Sequence, residues 1–286
     1  MISVFFSRLF STLVLWTVVL WAIFSGHELG FSAFIALMGL TGLWEFYRML
    51  DHKGLPNFKI TGMIFGAILL AGSSWVLSTG GVAKANDFES FVLAAFLLTL
   101  FSRQMFKGLR EPLPTMAYTL FGLLYVAVLF NFMSKLVYIT PRTADGIVSG
   151  QFYVLYLMVV TKFSDMGAYV TGSLIGKHPA VPSISPKKTW EGFFGALAFS
   201  LLGSFGMMGL LGSKLSLITP LHATVLGLGL GFAAIIGDLA ESIIKRTTDT
   251  KDSGRFLPGI GGALDLIDSL LFTAPLLFFY LRCLLN

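Results

Sequence analysis

One cysteine, Cys283, stands in 286 residues, which excludes an intrachain disulfide and a metal centre built on thiolates. The four histidines, His27, His52, His178 and His222, are scattered without ligand spacing, so a zinc centre is not expected. Charge is scarce as well: Asp, Glu, Lys and Arg make up 12% of the chain, against 55% hydrophobic residues. Mean hydropathy is +0.81, far from the range of a soluble globular domain. Long polar stretches are also missing. The longest polar connection runs only from Gly172 to Lys188, so no soluble domain is expected, and no nucleic-acid partner.

What fills the chain instead is a series of apolar runs, far longer than buried strands and rich in Gly, which read as membrane-spanning helices. Nine are expected, at roughly 9–26, 29–50, 60–79, 88–102, 115–135, 148–171, 189–211, 221–245 and 263–285. The fold class is therefore all-α, a polytopic integral membrane protein. Residues 1–147 are expected to form an N-terminal scaffold of about five helices, and 148–286 a C-terminal region of about four. Residues 9–24 resemble a signal peptide, but no small-residue cleavage pattern follows, so a retained span is expected.

Lys and Arg in the short loops are distributed unevenly. Arg8, Arg48, Lys53, Lys59, Arg103, Lys107, Arg110, Lys177, Lys187, Lys188, Lys245, Arg246, Lys251 and Arg255 fall on one side. Lys84, Lys135, Arg142, Lys214 and Arg282 fall on the other, with Lys162 inside a span. The first side is cytoplasmic by the positive-inside rule, with the N-terminus inside and the C-terminus outside. Trp16, Trp21 and Trp44 read as interface anchors, and Arg103, Lys107 and Arg110 as a cluster that attracts anionic lipid. Glu45 and Arg48, three apart at a helix end, read as an ion pair or as lining of a polar cavity.

Most charge of the C-terminal third gathers between Gly237 and Ser269, between two apolar segments. A charge in hydrocarbon costs roughly 2.5–3.5 kcal/mol on insertion scales, so such a cluster needs a partner, a cation or a ligand. On a helix, Asp238, Ser242, Lys245 and Asp249 form one narrow stripe. Pro258 and Gly259 break the helix, and Gly261 and Gly262 let backbone approach a ligand closely. Asp265 and Asp268 then lie one turn apart as the next helix opens. Carboxylates from adjacent helices, with Lys245, Arg246 and Lys251 among them, suit a divalent cation carrying a polyphosphate.

Two further stretches point the same way. Lys162 and Asp165 sit one turn apart near the cytoplasmic end of the sixth span, as a local ion pair or with Asp165 turned into the same cavity as Asp238. Gly167, Gly172 and Gly176 there permit close helix packing. In SISPKKTWEG, Ser185 and Pro186 read as an N-cap and first helical position. Lys187 and Lys188 would then lie in the first turn, where cations oppose the helix dipole unless an anion sits between them.

These stretches resemble the phosphatidate cytidylyltransferase family, the CDP-diacylglycerol synthases. Asp165, Ala168, Tyr169, Gly176, Lys177, Ser185, Pro186, Lys187, Lys188, Thr189, Glu191 and Gly192 match one motif. Ser242, Lys245, Arg246, Lys251, Asp252, Pro258, Gly259, Gly261, Gly262, Leu264, Asp265, Asp268 and Ser269 match the second. Ile260 stands where the family carries His, and Leu266 where it carries Arg. The resemblance covers about 120 residues, from Asp165 to the end.

The resemblance implies transfer of CMP from CTP to phosphatidic acid, giving CDP-diacylglycerol and pyrophosphate, in a bacterial inner membrane with the site facing the cytoplasm. It implies Mg²⁺ on Asp238 and Asp265, with Asp165 and Asp268 as further ligands or neighbours of ligands; a second cation is compatible with that set. Lys187, Lys188, Lys245, Arg246 and Lys251 would share the phosphates, with Ser242, Asp252 and Glu191 beside them. A homodimer is compatible with the sequence. A transferase or kinase acting on another lipid is an alternative. An ion- or proton-coupled transporter lining its path with Lys162, Asp165, Asp238 and Asp265 is another, against which stand the absence of an internal repeat and the gathering of charge at one face.

Overall fold

The computed structural model describes residues 13–14, 16–24, 28–107, 111–143, 146–147, 149–254 and 261–285. They are overwhelmingly helical, with two two-stranded hairpins among them. Five helices are long and apolar enough to cross a membrane: Lys59–Phe106, Pro112–Val137, Trp190–Leu215, Pro220–Thr247 and Ala263–Leu285. This is a helical integral membrane protein. The chain divides into two compact units, one of residues 1–135 with 247–267, the other of 136–246 with 268–286.

In the first unit, residues 16–24 are helical. Helix α1, Glu28–Lys53, packs against α2, Lys59–Lys107. A straight helix of that length would extend about 73 Å at 1.5 Å per residue, far beyond the ~30 Å hydrocarbon core. It folds back at Gly81, whose φ of 75° and ψ of −177° suit glycine alone. The stretches 60–79 and 88–102, expected as separate spans, fall on its two arms. Helix α3, Pro112–Gly122, continues through a π-helical turn, Leu123–Val128, into α4, Leu129–Val137. Tyr47 anchors α1 to α3, its hydroxyl donating to the Thr119 carbonyl at 2.7 Å.

A polar knot ties the two arms of α2 to α4. The Ser73 hydroxyl and Asn131 Nδ2 both donate to Glu89 Oε1, at 2.7 and 2.8 Å. Lys135 Nζ pairs with Glu89 Oε2 at 2.6 Å and donates to Asn86 Oδ1 at 2.9 Å. Lys135, expected as a loop cation, is therefore a buried ion-pair member, 3 % exposed. Burial of one charge inside the bundle required the other.

The second unit begins with a short hairpin, β1 Arg142–Thr143 and β2 Gly146–Ile147. Helix α5, Gln151–Ile175, leads into the hairpin of β3, Pro179–Val181, and β4, Ser185–Thr189. Helix α6 spans Trp190–Leu211, α7 Pro220–Thr247 and α8 Ala263–Leu285. Small residues let these helices touch. A Cβ on Gly167 of α5 would lie 2.5 Å from the Gly195 carbonyl of α6, and one on Gly172 3.7 Å from the Gly192 Cα. Ser200 and Ser204 of α6 donate to carbonyls of Gly227 and Ala223 on α7, at 2.8 and 2.7 Å.

Candidate active site

The second unit gathers charged side chains from three helices and a strand. Gly237 is the pivot: a Cβ there would sit 2.7 Å from the Asp268 carbonyl oxygen and 2.9 Å from the Ser269 Cα, so α7 and α8 meet backbone to backbone. The contact sets Asp238, the next residue of α7, beside Asp268 of α8, which lies within electrostatic reach of Lys162, Asp238 and Asp165. Asp165 is doubly held, its Oδ2 by Lys162 Nζ at 3.0 Å and its Oδ1 by the Ser269 hydroxyl at 3.2 Å. The local ion pair of Lys162 and Asp165 therefore forms, and Asp165 also faces the first turns of α8 through Ser269.

Lys188 closes the group from β4, with its Nζ 2.7 Å from Asp238 Oδ2 and 3.5 Å from the Ser242 hydroxyl. The expectation of a helix start at Ser185 is corrected here: Ser185–Thr189 is a strand, and Thr189 caps α6 by accepting the Gly192 N–H at 3.2 Å. Adjacent strand residues point to opposite faces, so the two lysines do not act as one first-turn pair. Lys187 is exposed, while Lys188 is partly covered. Glu191, in the first turn of α6, holds the hairpin through His178, whose Nδ1 lies 2.6 Å from Oε1. Lys177 is exposed. Lys245 pairs with Glu241 at 2.5 Å, and Arg246 Nε donates to the Ile184 carbonyl at 3.2 Å.

The Asp238 stripe is shorter than expected. Helix α7 stops at Thr247, and Asp249 sits at φ 52°, in the left-handed region that Asp tolerates. It belongs to the first unit and pairs with Lys53, whose ammonium holds the Asp249 carboxyl below its usual value.

In the first unit an open cavity of about 610 Å³ is lined by Arg48, His52, Asp249, Lys251, Asp252 and Ser253, among others. Arg48 thus lines a cavity, and Glu45 binds Ser253 and Leu264 rather than Arg48. Asp265 Oδ2 accepts the Gly262 N–H at 2.7 Å, and Gly261 has a φ of 122°, a conformation open to glycine. Arg8, Arg110, Arg255, Pro258, Gly259 and Ile260 lie outside the described residues.

Among the described residues no three His, Cys, Asp or Glu side chains form a ready-made metal cage. Mg²⁺ does not need one, because it keeps water and substrate phosphate and takes one or two carboxylates. Asp238 fits that demand. Its side chain is 46% exposed, with Lys188 as a counter-charge that a cation can displace.

Residues 6–284 match the Cytidylyltransferase family. The chain belongs to this family. Phosphatidate cytidylyltransferase of Staphylococcus haemolyticus (strain JCSC1435) is 34% identical over 254 residues, 85% of this chain and 91% of that one. Its counterpart in Bacillus subtilis (strain 168) is 32% identical over 260 residues, 89% of each chain. An uncharacterized protein of Escherichia coli (strain K12), YnbB, is 29% identical over 264 residues, 91% of this chain and 82% of that one. Cytidylyl transfer needs positioning and charge neutralisation rather than a nucleophilic side chain. Two groups of this cytidylyltransferase were not visible as partners in its sequence: Lys188 for Asp238, and Glu45 for the start of α8. For Glu45 the sequence signal was its spacing of three from Arg48, which points to an ion pair or a cavity wall and not to a helix cap.

Proposed function

We propose that this cytidylyltransferase moves CMP from CTP to phosphatidic acid. A phosphate oxygen of the lipid bonds to the α-phosphorus of CTP, the bond from that phosphorus to the bridging oxygen of the β-phosphate breaks, and pyrophosphate departs with the electron pair. The lipid phosphate is ionised at neutral pH, so the reaction asks no base of the protein, and Ile260 in place of the family His is compatible with it. The observation that carries the reading is the placing of Lys188 and Lys162 among Asp238, Asp165 and Asp268, of which Lys188, Asp165 and Asp268 stand on the two family motifs.

In this reading Asp238 and Asp265 are the ligands for Mg²⁺, which supplies charge neutralisation to the phosphates when bound. Lys187, Lys188, Lys245, Arg246 and Lys251 take phosphate oxygens, and Asp165 and Asp268 orient the lysines. The Lys and Arg bias supports a site open to cytoplasmic CTP in a bacterial inner membrane, with about nine spans.

The test is CMP transfer by the detergent-purified protein, with labelled CTP, phosphatidic acid and Mg²⁺, following liponucleotide and pyrophosphate. Asp238→Asn and Asp265→Asn are each expected to lower kcat by about 10²-fold or more. Wild-type rates in either variant would remove that residue from the metal. No product from folded wild-type protein would move the assignment to another lipid substrate.

A further inference from the structure

Helix α8 opens at Ala263. Gly262 precedes it and has no side chain to accept the free N–H groups of the first turn. Asp265, the third residue of the helix, reaches back to the Gly262 N–H, as the acidic member of a capping box does. The missing acceptor comes from far away in the chain. Glu45 of α1, 219 positions before Leu264, accepts the Leu264 N–H on Oε2 at 2.8 Å. The same oxygen accepts the Ser253 hydroxyl at 3.1 Å. Every one of these residues belongs to the first unit.

Burial and space agree with the hydrogen bonds. Glu45 is 5 % exposed, and an ionised carboxylate that deep requires compensation, which two donors and the positive end of a helix provide. A Cβ on Gly262 would lie 2.5 Å from Glu45 Oε2, and one on Gly254 would collide with Oε1. The chain on either side of residues 255–260 therefore closes on a single carboxylate, and only glycine lets it come so near.

We propose that Glu45 is a positioning residue of the transfer reaction, a helix cap supplied in place of the one Gly262 lacks, which fixes the first turn of α8 and so aims the Asp265 carboxylate. The inference rests on the reading of Asp265 as a Mg²⁺ ligand. Removal of a group that orients a metal ligand typically weakens metal binding or activity about 10–100-fold.

Wild-type, Glu45→Asp and Glu45→Ala proteins in detergent are titrated with Mg²⁺ in two arms, one reading CMP transfer and one reading melting temperature without substrate. Glu45→Ala is expected to raise the Mg²⁺ half-saturation about tenfold in both arms. Glu45→Asp keeps the charge but falls a methylene short of Leu264, and is expected to raise it about threefold or more. A merely structural residue would lower the amount of folded protein and leave the midpoint unmoved, so wild-type midpoints in both variants overturn the inference. If the Ala protein does not fold, the Asp protein decides by the same criterion. A wild type that responds to Mg²⁺ in melting yet transfers no CMP overturns the reaction assignment alone, and the midpoints still decide the role of Glu45. A wild type without any Mg²⁺ response overturns the inference.

Discussion

At the scale of single residues, Lys188 and Lys187 are neighbours in sequence with different surroundings. Lys188 contacts Asp238 and Ser242, whereas Lys187 is exposed on the other side of the strand. Lys188→Ala is expected to lower kcat/KM for CTP by about 10²-fold, and Lys187→Ala by less than tenfold, in steady-state assays of the two purified proteins. Equal losses would mean that both ammonium groups reach the phosphates. Some of this was legible without a structure. The Lys162–Asp165 pair follows from a spacing of three on a helix, a local property. The role of Glu45 was not legible, because its partners Ser253 and Leu264 lie 208 and 219 positions away.

At the scale of elements, the same limit shows in where helices begin and what they touch. Ser185 and Pro186 carry a good helix-start signal, yet Thr189 caps α6, because pairing of β4 with β3 claims the preceding residues. Likewise the glycines of α5 read correctly as packing points, while Gly237, which joins α7 to α8, was read merely as the start of an acidic stretch. Gly237→Ala puts a methyl against the Asp268 carbonyl, a backbone atom that cannot swing aside. The expected result is a destabilisation of about 1–3 kcal/mol, seen as a lower melting temperature, with a fall in kcat as Asp238 moves from Asp268. Wild-type melting and turnover would show that the helices can part without disturbing the site.

At the scale of the whole molecule, charge bias assigns an orientation that can be measured. In spheroplasts, a membrane-impermeant maleimide is expected to label Asn286→Cys and spare Lys251→Cys, each in a Cys283→Ser background. The reverse pattern would invert the topology. The sequence by itself determined that this is a helical membrane protein of the cytidylyltransferase family. Run length, scarce charge and motif spacing are properties of continuous stretches, and the bilayer acts on those directly. Only the tertiary structure decided which charges meet: Lys188 with Asp238, Lys135 with Glu89, and Glu45 with the first turn of α8. A hydrogen bond works over about 3 Å, and distant segments come that close only where small residues let helices pack, which no single stretch of sequence specifies.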